Sequence, residues 1–457
     1  MNENVRKGIL YNTAVIALCF LLTSTGYLAW VYNLAKMVSP QTADALTMVA
    51  GYLFQAAGIG LFAFIVQRGS FQAERYVYTA LILYILFLFP SILAHSMTLA
   101  AVSGMFMNLL CGFIAGYYLM KLMTGTPAGV RGVVFGAGYC LSILGSWVLS
   151  LIDKGSVYYS NSILVICVII AAAVIAVIRT GSKEHDNTGM EEAVVLRIPE
   201  STDIKTFLIT AGLLVLLFSI VNSCGFGFPT ADVVAGISLE FSRLFYAAGL
   251  LIAGIVCDKN RKYCAVSALT ALVIPFIMLA LKGEPVSATV MWALSYFTFG
   301  FYSVYRIILF ADIAESRNQP AFSGAGLLIG RVGDAAAILL SLALAQHFML
   351  LLAVSAVLFI AAVILFLKIY QTLYIEKYIY QASESEIFNR FSAQYDLSAR
   401  EREVLRMLLS EKTNTEIAEE LSISEGTVKY HIHNLLQKTG CRNRIALLSA
   451  YAGNQNL

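Results

Sequence analysis

Long apolar stretches recur along residues 1–370 and alternate with short polar connections. A helix needs about 20 predominantly apolar residues to cross a bilayer, and each stretch approaches that length. After residue 395 the apolar positions instead recur at helical spacing within polar sequence, which is typical of a small globular domain. The pattern predicts twelve membrane-spanning helices, near residues 9–31, 45–66, 75–95, 97–120, 132–152, 161–178, 205–225, 236–257, 263–281, 287–310, 323–345 and 348–370.

A polar segment with charges of both signs, residues 179–204, divides these predicted spans into two sets of six. Such a layout is typical of two structural repeats joined by a connector. Tyr370, Tyr374 and Tyr378 then recur every four residues, so we expect the last span to continue as an amphipathic helix. That helix would either anchor at the membrane surface or act as a stalk that transmits motion or pairs two chains. The predicted domains are a transmembrane domain, 1–370, with halves 1–178 and 205–370, a stalk and linker, 371–394, and a globular domain, 395–457.

The composition agrees with a lipid environment. Hydrophobic residues make up 59% of the chain and charged residues only 13%, against about 25% charged in soluble proteins. With the N-terminus inside, fifteen lysines and arginines fall on the cytoplasmic side, against Lys36, Lys154 and Lys282 on the other side. Cytoplasmic loops carry such an excess, so both termini and the globular domain are predicted to face the cytoplasm of a multi-pass cell-membrane protein. The first apolar run is too long for a cleavable signal peptide.

The sequence offers little for enzyme chemistry. The eight cysteines are scattered without a Cys-x-x-Cys pair, and we expect most of them to be buried as small apolar residues. The sequence shows no nucleophile–base set, phosphate-binding loop or metal-ligand cluster. We therefore expect no enzyme activity, no catalytic residue, no cofactor and no metal.

One loop resembles a known family of membrane proteins. Residues 254–262 read Gly-Ile-Val-Cys-Asp-Lys-Asn-Arg-Lys. This is similar to the Gly-x-x-x-Asp-Arg/Lys-x-Gly-Arg/Lys-Arg/Lys loop of the major facilitator superfamily, with Asn260 where that family often has Gly. The resemblance implies that Asp258 caps a neighbouring helix and that the basic residues lie at lipid headgroups. The first-half loop, residues 67–75, departs from the pattern and has no Asp.

The first six predicted spans hold essentially no ionisable residue, whereas the second six hold several. A charge at membrane depth costs at least about 2.5–3.5 kcal/mol on insertion scales, so such groups usually face a cavity or each other. Arg331 and Asp334 could pair locally, being three residues apart on one helix. Two interpretations are open, a structural ion pair and a site for an anionic ligand. The candidate sensor cavity comprises Glu240, Arg243, Arg306, Arg331 and Asp334.

Capping signals divide residues 396–457 into four short helices. Ser398 and Glu401 form a capping-box pattern before the first helix, and Asn414 is expected to cap the second. Ser424 is expected to cap the third helix, and Gly440 to end it in a left-handed conformation. A fourth helix is predicted over 443–452. From residue 427 onward the chain carries four basic residues and no acidic one.

This segment closely resembles the C-terminal helix-turn-helix domain of the LuxR/FixJ family over about residues 395–453. The resemblance implies that the third helix reads the major groove of double-stranded promoter DNA, with base contacts from Lys429, Tyr430 and His433. It implies phosphate contacts from Ser424, Thr427, Asn434, Lys438 and Arg444, and binding as a homodimer. A small helical domain of this shape can also serve only as a protein-binding module.

The predicted fold is therefore all-α: a twelve-helix, six-plus-six, major-facilitator-like bundle followed by a four-helix DNA-binding domain. The expected function is that of a membrane-tethered transcription regulator, whose bundle senses an unknown small-molecule ligand or a membrane state. The alternative is a secondary transporter that carries a regulatory DNA-binding domain. No carboxylate ladder for proton coupling is apparent in the first half of the sequence, which weakens the transporter interpretation.

Overall fold

The computed structural model describes residues 3–68, 73–152, 158–181, 203–230, 239–274, 276, 285–375, 388–410 and 412–453. Within these ranges all regular secondary structure is helical, as the sequence predicts. The chain forms two compact units, Met1–Leu373 and Tyr374–Leu457. Each unit has its own buried core.

In the described part of the first unit, twelve helices are labelled here in chain order. Their bounds are α1 Glu3–Ala35, α2 Pro40–Arg68, α3 Ala73–Leu93, α4 Met97–Thr124, α5 Arg131–Ser150, α6 Tyr159–Gly181, α7 Ile204–Thr230, α8 Leu239–Lys259, α9 Arg261–Ala271, α10 Pro285–Ser316, α11 Ala325–Ala343 and α12 Phe348–Tyr370. Ten of these, α1–α7 and α10–α12, are long and apolar enough to cross a membrane within the described residues. Helices α8 and α9 occupy the positions of the eighth and ninth predicted spans, and residues 275 and 277–281 of the ninth span lie outside the described residues.

Local sequence explains where several of these helices begin and end. Ser39 caps α2 through its side chain, with Pro40 in the first turn, where a missing backbone N–H costs nothing. A π-helical turn, Ala45–Ala50, interrupts the same helix. The spans predicted over 75–95 and 97–120 are two separate helices, because α3 ends at Leu93 and α4 begins at Met97. Helix α10 extends to Ser316, six residues beyond its predicted end, which brings two more carboxylates into the helix.

Helix packing in the first unit repeats every six helices. Helix α1 packs against α5 and α6, as α7 packs against α11 and α12. Helix α4 packs against α2 and α3, as α10 packs against α8 and α9. The most extensive contacts between the halves are those of α2 with α11 and of α5 with α8. Exchanging each helix for the one six positions along the chain converts one of these pairs into the other. This is the relationship expected of two repeats about a two-fold axis.

Glycines allow the α5–α8 pair to approach closely. A side-chain carbon added to Gly254 would lie 2.3 Å from the carbonyl oxygen of Gly132, and one added to Gly132 would lie 2.6 Å from the carbonyl oxygen of Gly254. Backbone therefore meets backbone at this crossing. The Gly at the start of the 254–262 motif is required by that contact between the two halves.

The second unit is a small helical domain. Its helices are α13 Ala399–Leu409, α14 Asn414–Glu420, α15 Glu425–Thr439 and α16 Arg444–Gly453. Residues 388–394 are also helical. The core is formed by one buried apolar cluster: Phe388, Phe391, Leu397, Val404, Leu405, Leu408, Ile417, Ala418, Val428, Leu435, Leu447 and Tyr451. Phe388 and Phe391, expected in a linker, thus belong to this core, and their rings contact Tyr451 with centroid separations of 6.4 and 5.2 Å.

Candidate nucleic-acid interface and buried charges

The two helices of the helix-turn-helix are fixed by side-chain caps. The Thr413 hydroxyl accepts a hydrogen bond from the Glu416 backbone N–H, and the Glu416 carboxylate accepts one from the Thr413 N–H at 2.7 Å. The prediction that Asn414 caps α14 is therefore wrong by one residue, since Asn414 is the first residue inside the helix. The Thr-x-x-Glu pattern at 413–416 is the signal that identifies this cap. The Glu416 backbone contact lowers the pKa of its carboxyl below the ordinary value.

The predicted caps of α15 are both confirmed. The Ser424 hydroxyl accepts from the Thr427 N–H at 3.2 Å and also contacts the Thr427 hydroxyl at 2.9 Å. Gly440 ends the helix with φ of 68°, a conformation that glycine adopts without strain. The Cys441 N–H then donates to the Leu436 carbonyl at 3.0 Å, which completes a Schellman-type end. Helix α15, the expected recognition helix, therefore begins and ends at the capping side chain and the glycine predicted from the sequence.

The turn between α14 and α15 is tight. Ser422 adopts φ of 52°, which lies in the left-handed region. The Ile423 N–H donates to the Ala418 carbonyl at 2.9 Å, and Ile423 packs against the domain core. The two helices are thereby held at a fixed angle, as a major-groove reader requires.

Helix α15 presents a polar face that the core does not cover. Lys429 and His433 are exposed and stand one turn apart, and Tyr430 keeps 62% exposure. Within the described part of the chain, Lys429 makes no hydrogen bond or ion pair. Lysine is a donor suited to guanine acceptors in the major groove. Asn434, expected to contact phosphate, is half-buried on the same helix.

Two of the expected phosphate contacts are already engaged. Lys438 donates to the Glu401 carboxylate at 2.8 Å and to the Asp396 carbonyl at 2.7 Å. Arg444 donates to the Lys412 carbonyl at 2.7 Å. These contacts hold α15 and α16 in place, so both basic residues have structural roles that the sequence did not indicate.

Glu401 joins the cap of α13 to the recognition helix. It is 4% exposed, and its carboxylate accepts from the Ser398 N–H at 2.8 Å as well as from Lys438. Burial acts to raise the pKa of this carboxyl, but the hydrogen bonds from Lys438 and Ser398 prevail and lower it below the ordinary value. The group therefore remains ionised at neutral pH.

A second polar feature lies in the first unit, where five charged side chains join its two halves. We call Arg131, Asp258, Arg261, Asp312 and Glu315 the interhalf ion cluster. Arg131 of α5 forms two hydrogen bonds to Glu315 of α10, at 2.7 and 2.6 Å. Arg131, which directly precedes the fifth predicted span, is only 2% exposed.

The motif residues belong to the same cluster. The Asp258 carboxylate accepts from the N–H groups of Gly132 and Val133 at 2.8 and 2.6 Å, so it caps the start of α5 as the resemblance implies. Arg261, which was expected at a lipid headgroup, contacts Asp312 at 2.9 Å and Asp258 at 3.0 Å. Asp312 and Glu315 lie beyond residue 310, the predicted end of the tenth span, so the sequence did not place them in this helix.

The candidate sensor residues are partly brought together. Arg306 of α10 and Arg331 of α11 both approach Asp334, at 3.6 and 3.7 Å. Arg243 is half-buried near the start of α8, and the side chain of Glu240 lies outside the described residues. Only three of the five expected residues therefore form a described cluster.

Comparison with known proteins assigns the C-terminal unit. The family model described as "Bacterial regulatory proteins, luxR family" matches residues 396–450. The spore germination protein GerE of Bacillus subtilis is 50% identical over 54 residues, which are 12% of this chain and 73% of that protein. The probable transcriptional regulatory protein SgaR of Hyphomicrobium methylovorum is 44% identical over 61 residues, 13% of this chain and 29% of that protein.

The CsgBAC operon transcriptional regulatory protein of Escherichia coli is 39% identical over 72 residues, 16% of this chain and 29% of that protein. The chain thus spans less than a third of the last two relatives. Through this unit, the chain belongs to the luxR family of bacterial regulatory proteins, which are DNA-binding transcriptional regulators.

Proposed function

We propose that this chain is a one-component, membrane-tethered transcription regulator. The observation that carries the proposal is the presence, in one chain, of a complete luxR-type helix-turn-helix and of ten helices apolar and long enough to cross a membrane. In this proposal the organisation is that predicted from the sequence, with the major-facilitator-like bundle in the cell membrane and both termini in the cytoplasm. The chain would then bind promoter DNA through its helix-turn-helix while its bundle stays in the membrane.

The proposed DNA contacts follow from the exposed face of α15. Lys429, Tyr430 and His433 would reach base edges, because they are exposed on the helix that follows the turn. Ser424, Thr427 and Asn434, together with Lys438 and Arg444 in their anchored positions, would lie near phosphates. One unit offers a narrow basic face, so the proposal includes a homodimer that reads two half-sites about one helical turn apart.

The proposed sensor is the two-half bundle. A ligand can change the output only if it binds two arrangements of the bundle with different affinity. Groups that join the halves support such a two-state element, since the interhalf ion cluster links α5 to α8 and α10 through charged hydrogen bonds. A small ligand would bind near Arg306, Arg331 and Asp334.

Selection of DNA from a random-sequence pool by the full chain in lipid nanodiscs tests this function. We expect enrichment of a sequence with two-fold symmetry, and recovery of the chain in the membrane fraction of cells. A matched variant, Lys429→Ala with Tyr430→Ala, should insert equally well and lose the enrichment. Failure of the unchanged chain to enrich any sequence would contradict the proposal, as would its recovery in the soluble fraction.

The second candidate is a secondary transporter with a regulatory DNA-binding unit. The packing that repeats every six helices favours it, because such repeats are the architecture of many transporters. Uptake of a labelled candidate ligand into sealed vesicles separates the two. A regulator binds the ligand without accumulating it, whereas a transporter accumulates it inside the vesicles.

A further inference from the structure

Two arginines share one carboxylate inside the first unit. Arg306, which is 5% exposed, and Arg331 both approach Asp334, with Nη1–Oδ2 distances of 3.6 and 3.7 Å. Arginine stays protonated in proteins, so the three charged groups sum to one positive charge. A buried charge without a partner is strongly destabilising.

The hydrogen bonds of the arginine pair are also incomplete. Nε of Arg306 and Nε of Arg331 are buried and have no partner among the described residues. Arg306 donates to the Tyr302 hydroxyl at 3.1 Å. Its guanidinium lies against Gly330, where an added side-chain carbon would come within 2.4 Å of Nη1. Arg306 is therefore held in position while its Nε donor has no acceptor. A guanidinium with free donors matches a carboxylate group in geometry and charge.

The Asp334 carboxylate also has hydrogen-bond acceptor capacity that the two arginines do not fill. It accepts a hydrogen bond from Ser223 of α7 at 2.7 Å, and its distances to both guanidinium groups exceed those of a charged hydrogen bond. The three groups thus form a loose cluster and not a closed ion pair. A closed structural ion pair would have equal charges and short contacts, as Arg131 has with Glu315 at 2.6 Å.

Aromatic side chains from both halves surround the arginine pair. The Arg331 guanidinium lies over the Tyr52 ring of α2 at 4.4 Å, and that of Arg306 over the Tyr302 ring at 4.9 Å. Tyr27 of α1 stacks with Tyr52, with ring centroids 6.1 Å apart. On the other side, Tyr246 of α8 connects to Tyr302 through Phe299, with centroid separations of 5.0 and 5.9 Å.

Several side chains around the arginine pair are only partly buried. Arg331, Tyr27, Tyr52 and Tyr246 each keep partial exposure. The Arg331 side chain is 21% exposed, so the surrounding side chains do not seal off the arginine pair. Aromatic walls with a few convergent polar groups are typical of sites for small organic molecules.

We propose that this site binds a small organic monoanion, a carboxylate with an aromatic or otherwise apolar body, whose carboxylate bridges Arg306 and Arg331. The inference deepens the proposed sensor function and rests on it. One negative charge brings the cluster to neutrality, whereas a cation adds to the excess and a neutral amide leaves it. The apolar body would pack on the tyrosine rings of both halves, so that occupancy favours the arrangement in which α2 and α11 are together.

Thermal unfolding of the full chain in phosphatidylcholine nanodiscs tests the proposal, because these lipids carry no net negative charge. The test compounds are benzoate and phenylacetate, compared with the neutral benzamide and the cationic benzylamine. We expect the two carboxylates to raise Tm with increasing concentration, since a ligand that binds the folded state stabilises it. Benzamide and benzylamine should leave Tm unchanged.

Two variants provide the controls. Arg331→Gln should weaken the apparent affinity for the carboxylates by about 30-fold or more. It should not lower the Tm of the ligand-free chain, because it removes a charge that has no full partner. Lys121→Gln removes a cation whose carboxylate partner, Glu74 at 3.0 Å, lies in the same half, and it should keep the full response.

Several results would overturn the inference. It fails if no carboxylate raises Tm, if the amide or the amine raises Tm as much as benzoate, or if Arg331→Gln lowers the Tm of the ligand-free chain while its response to benzoate persists. DNA capture by the same nanodiscs is measured in parallel. Capture without a carboxylate response overturns this inference alone, whereas loss of capture by the unchanged chain overturns the proposed regulator function.

Discussion

Lys438, near the end of the recognition helix, is tied to Glu401 in the first turn of α13 by a 2.8 Å ion pair. Glu401 is also half of the capping box of α13, so one buried carboxylate organises two helices that lie far apart in sequence. This pairing gives the two lysines of α15 different roles. Lys438 supports the orientation of the helix, while Lys429 remains free for DNA within the described part of the chain.

Replacement of Lys438 by Ala should destabilise a fragment of residues 386–457 by about 1–3 kcal/mol, because the buried Glu401 carboxylate loses a charged hydrogen-bond partner. Chemical denaturation followed by circular dichroism measures this. Lys429→Ala, in the same helix but without a partner, should change the free energy of unfolding by less than about 0.5 kcal/mol. Equal losses from the two variants would show that the Lys438–Glu401 pair contributes nothing.

The same pair predicts how the domain responds to acid. The pKa of Glu401 is lower in the folded state than its ordinary value of 4.5, so its contribution to stability is present above that pH. The contribution is lost as the pH falls through the folded-state pKa. Denaturation midpoints of the fragment should therefore fall below pH 4.5, and Lys438→Ala should flatten that part of the profile. A variant with an unchanged acid profile would contradict this assignment.

Lys429→Ala should relax sequence preference at one base position and cost about 1–3 kcal/mol of binding to the preferred site. The physical reason is the loss of a donor to a base edge by a residue with no structural partner. Competition between the preferred site and single-base variants of that site measures the change. Equal weakening on specific and random DNA would show that Lys429 contacts only the backbone of DNA.

Thr413→Ala should lower the free energy of unfolding of the fragment by about 1 kcal/mol, because it removes the side-chain cap of α14. Asn414→Ala is the matched control, since Asn414 is inside the helix and should have a much smaller effect. Denaturant titrations of both variants decide the matter. A larger loss from Asn414→Ala would restore Asn414 as the capping residue.

The sequence was most informative where the responsible interaction is local. Caps at Ser398, Ser424 and Gly440 depend on residues within one turn, and they are as predicted. The helical class and most spans also follow from hydrophobic pattern alone. The pairs of Lys438 with Glu401 and of Arg131 with Glu315 join residues 37 and 184 positions apart. Nothing in local spacing indicates such partners, because only the packed helices bring them together.

The last prediction concerns the interhalf ion cluster. Arg131→Gln removes the partner of Glu315 and leaves Asp312 with a single arginine, so the contact between α5 and α10 should weaken. Truncating one partner of a buried charged pair costs about 2–5 kcal/mol. We expect the two halves to separate at this end more often. Cys257 is 1% exposed and lies beside Arg261, so it reports on that opening.

Alkylation of thiols in the full chain in nanodiscs, followed by peptide mass spectrometry, measures the effect. Cys257 should react faster in Arg131→Gln than in the unchanged chain, while Cys19, buried within α1, should react at the same slow rate in both. Lys121→Gln is the matched control, because it breaks an ion pair between α3 and α4 of one half only. Equal acceleration of Cys257 in both variants would indicate general loosening of the bundle. Acceleration in Arg131→Gln alone would identify the Arg131–Glu315 contact as the one that holds the two halves closed.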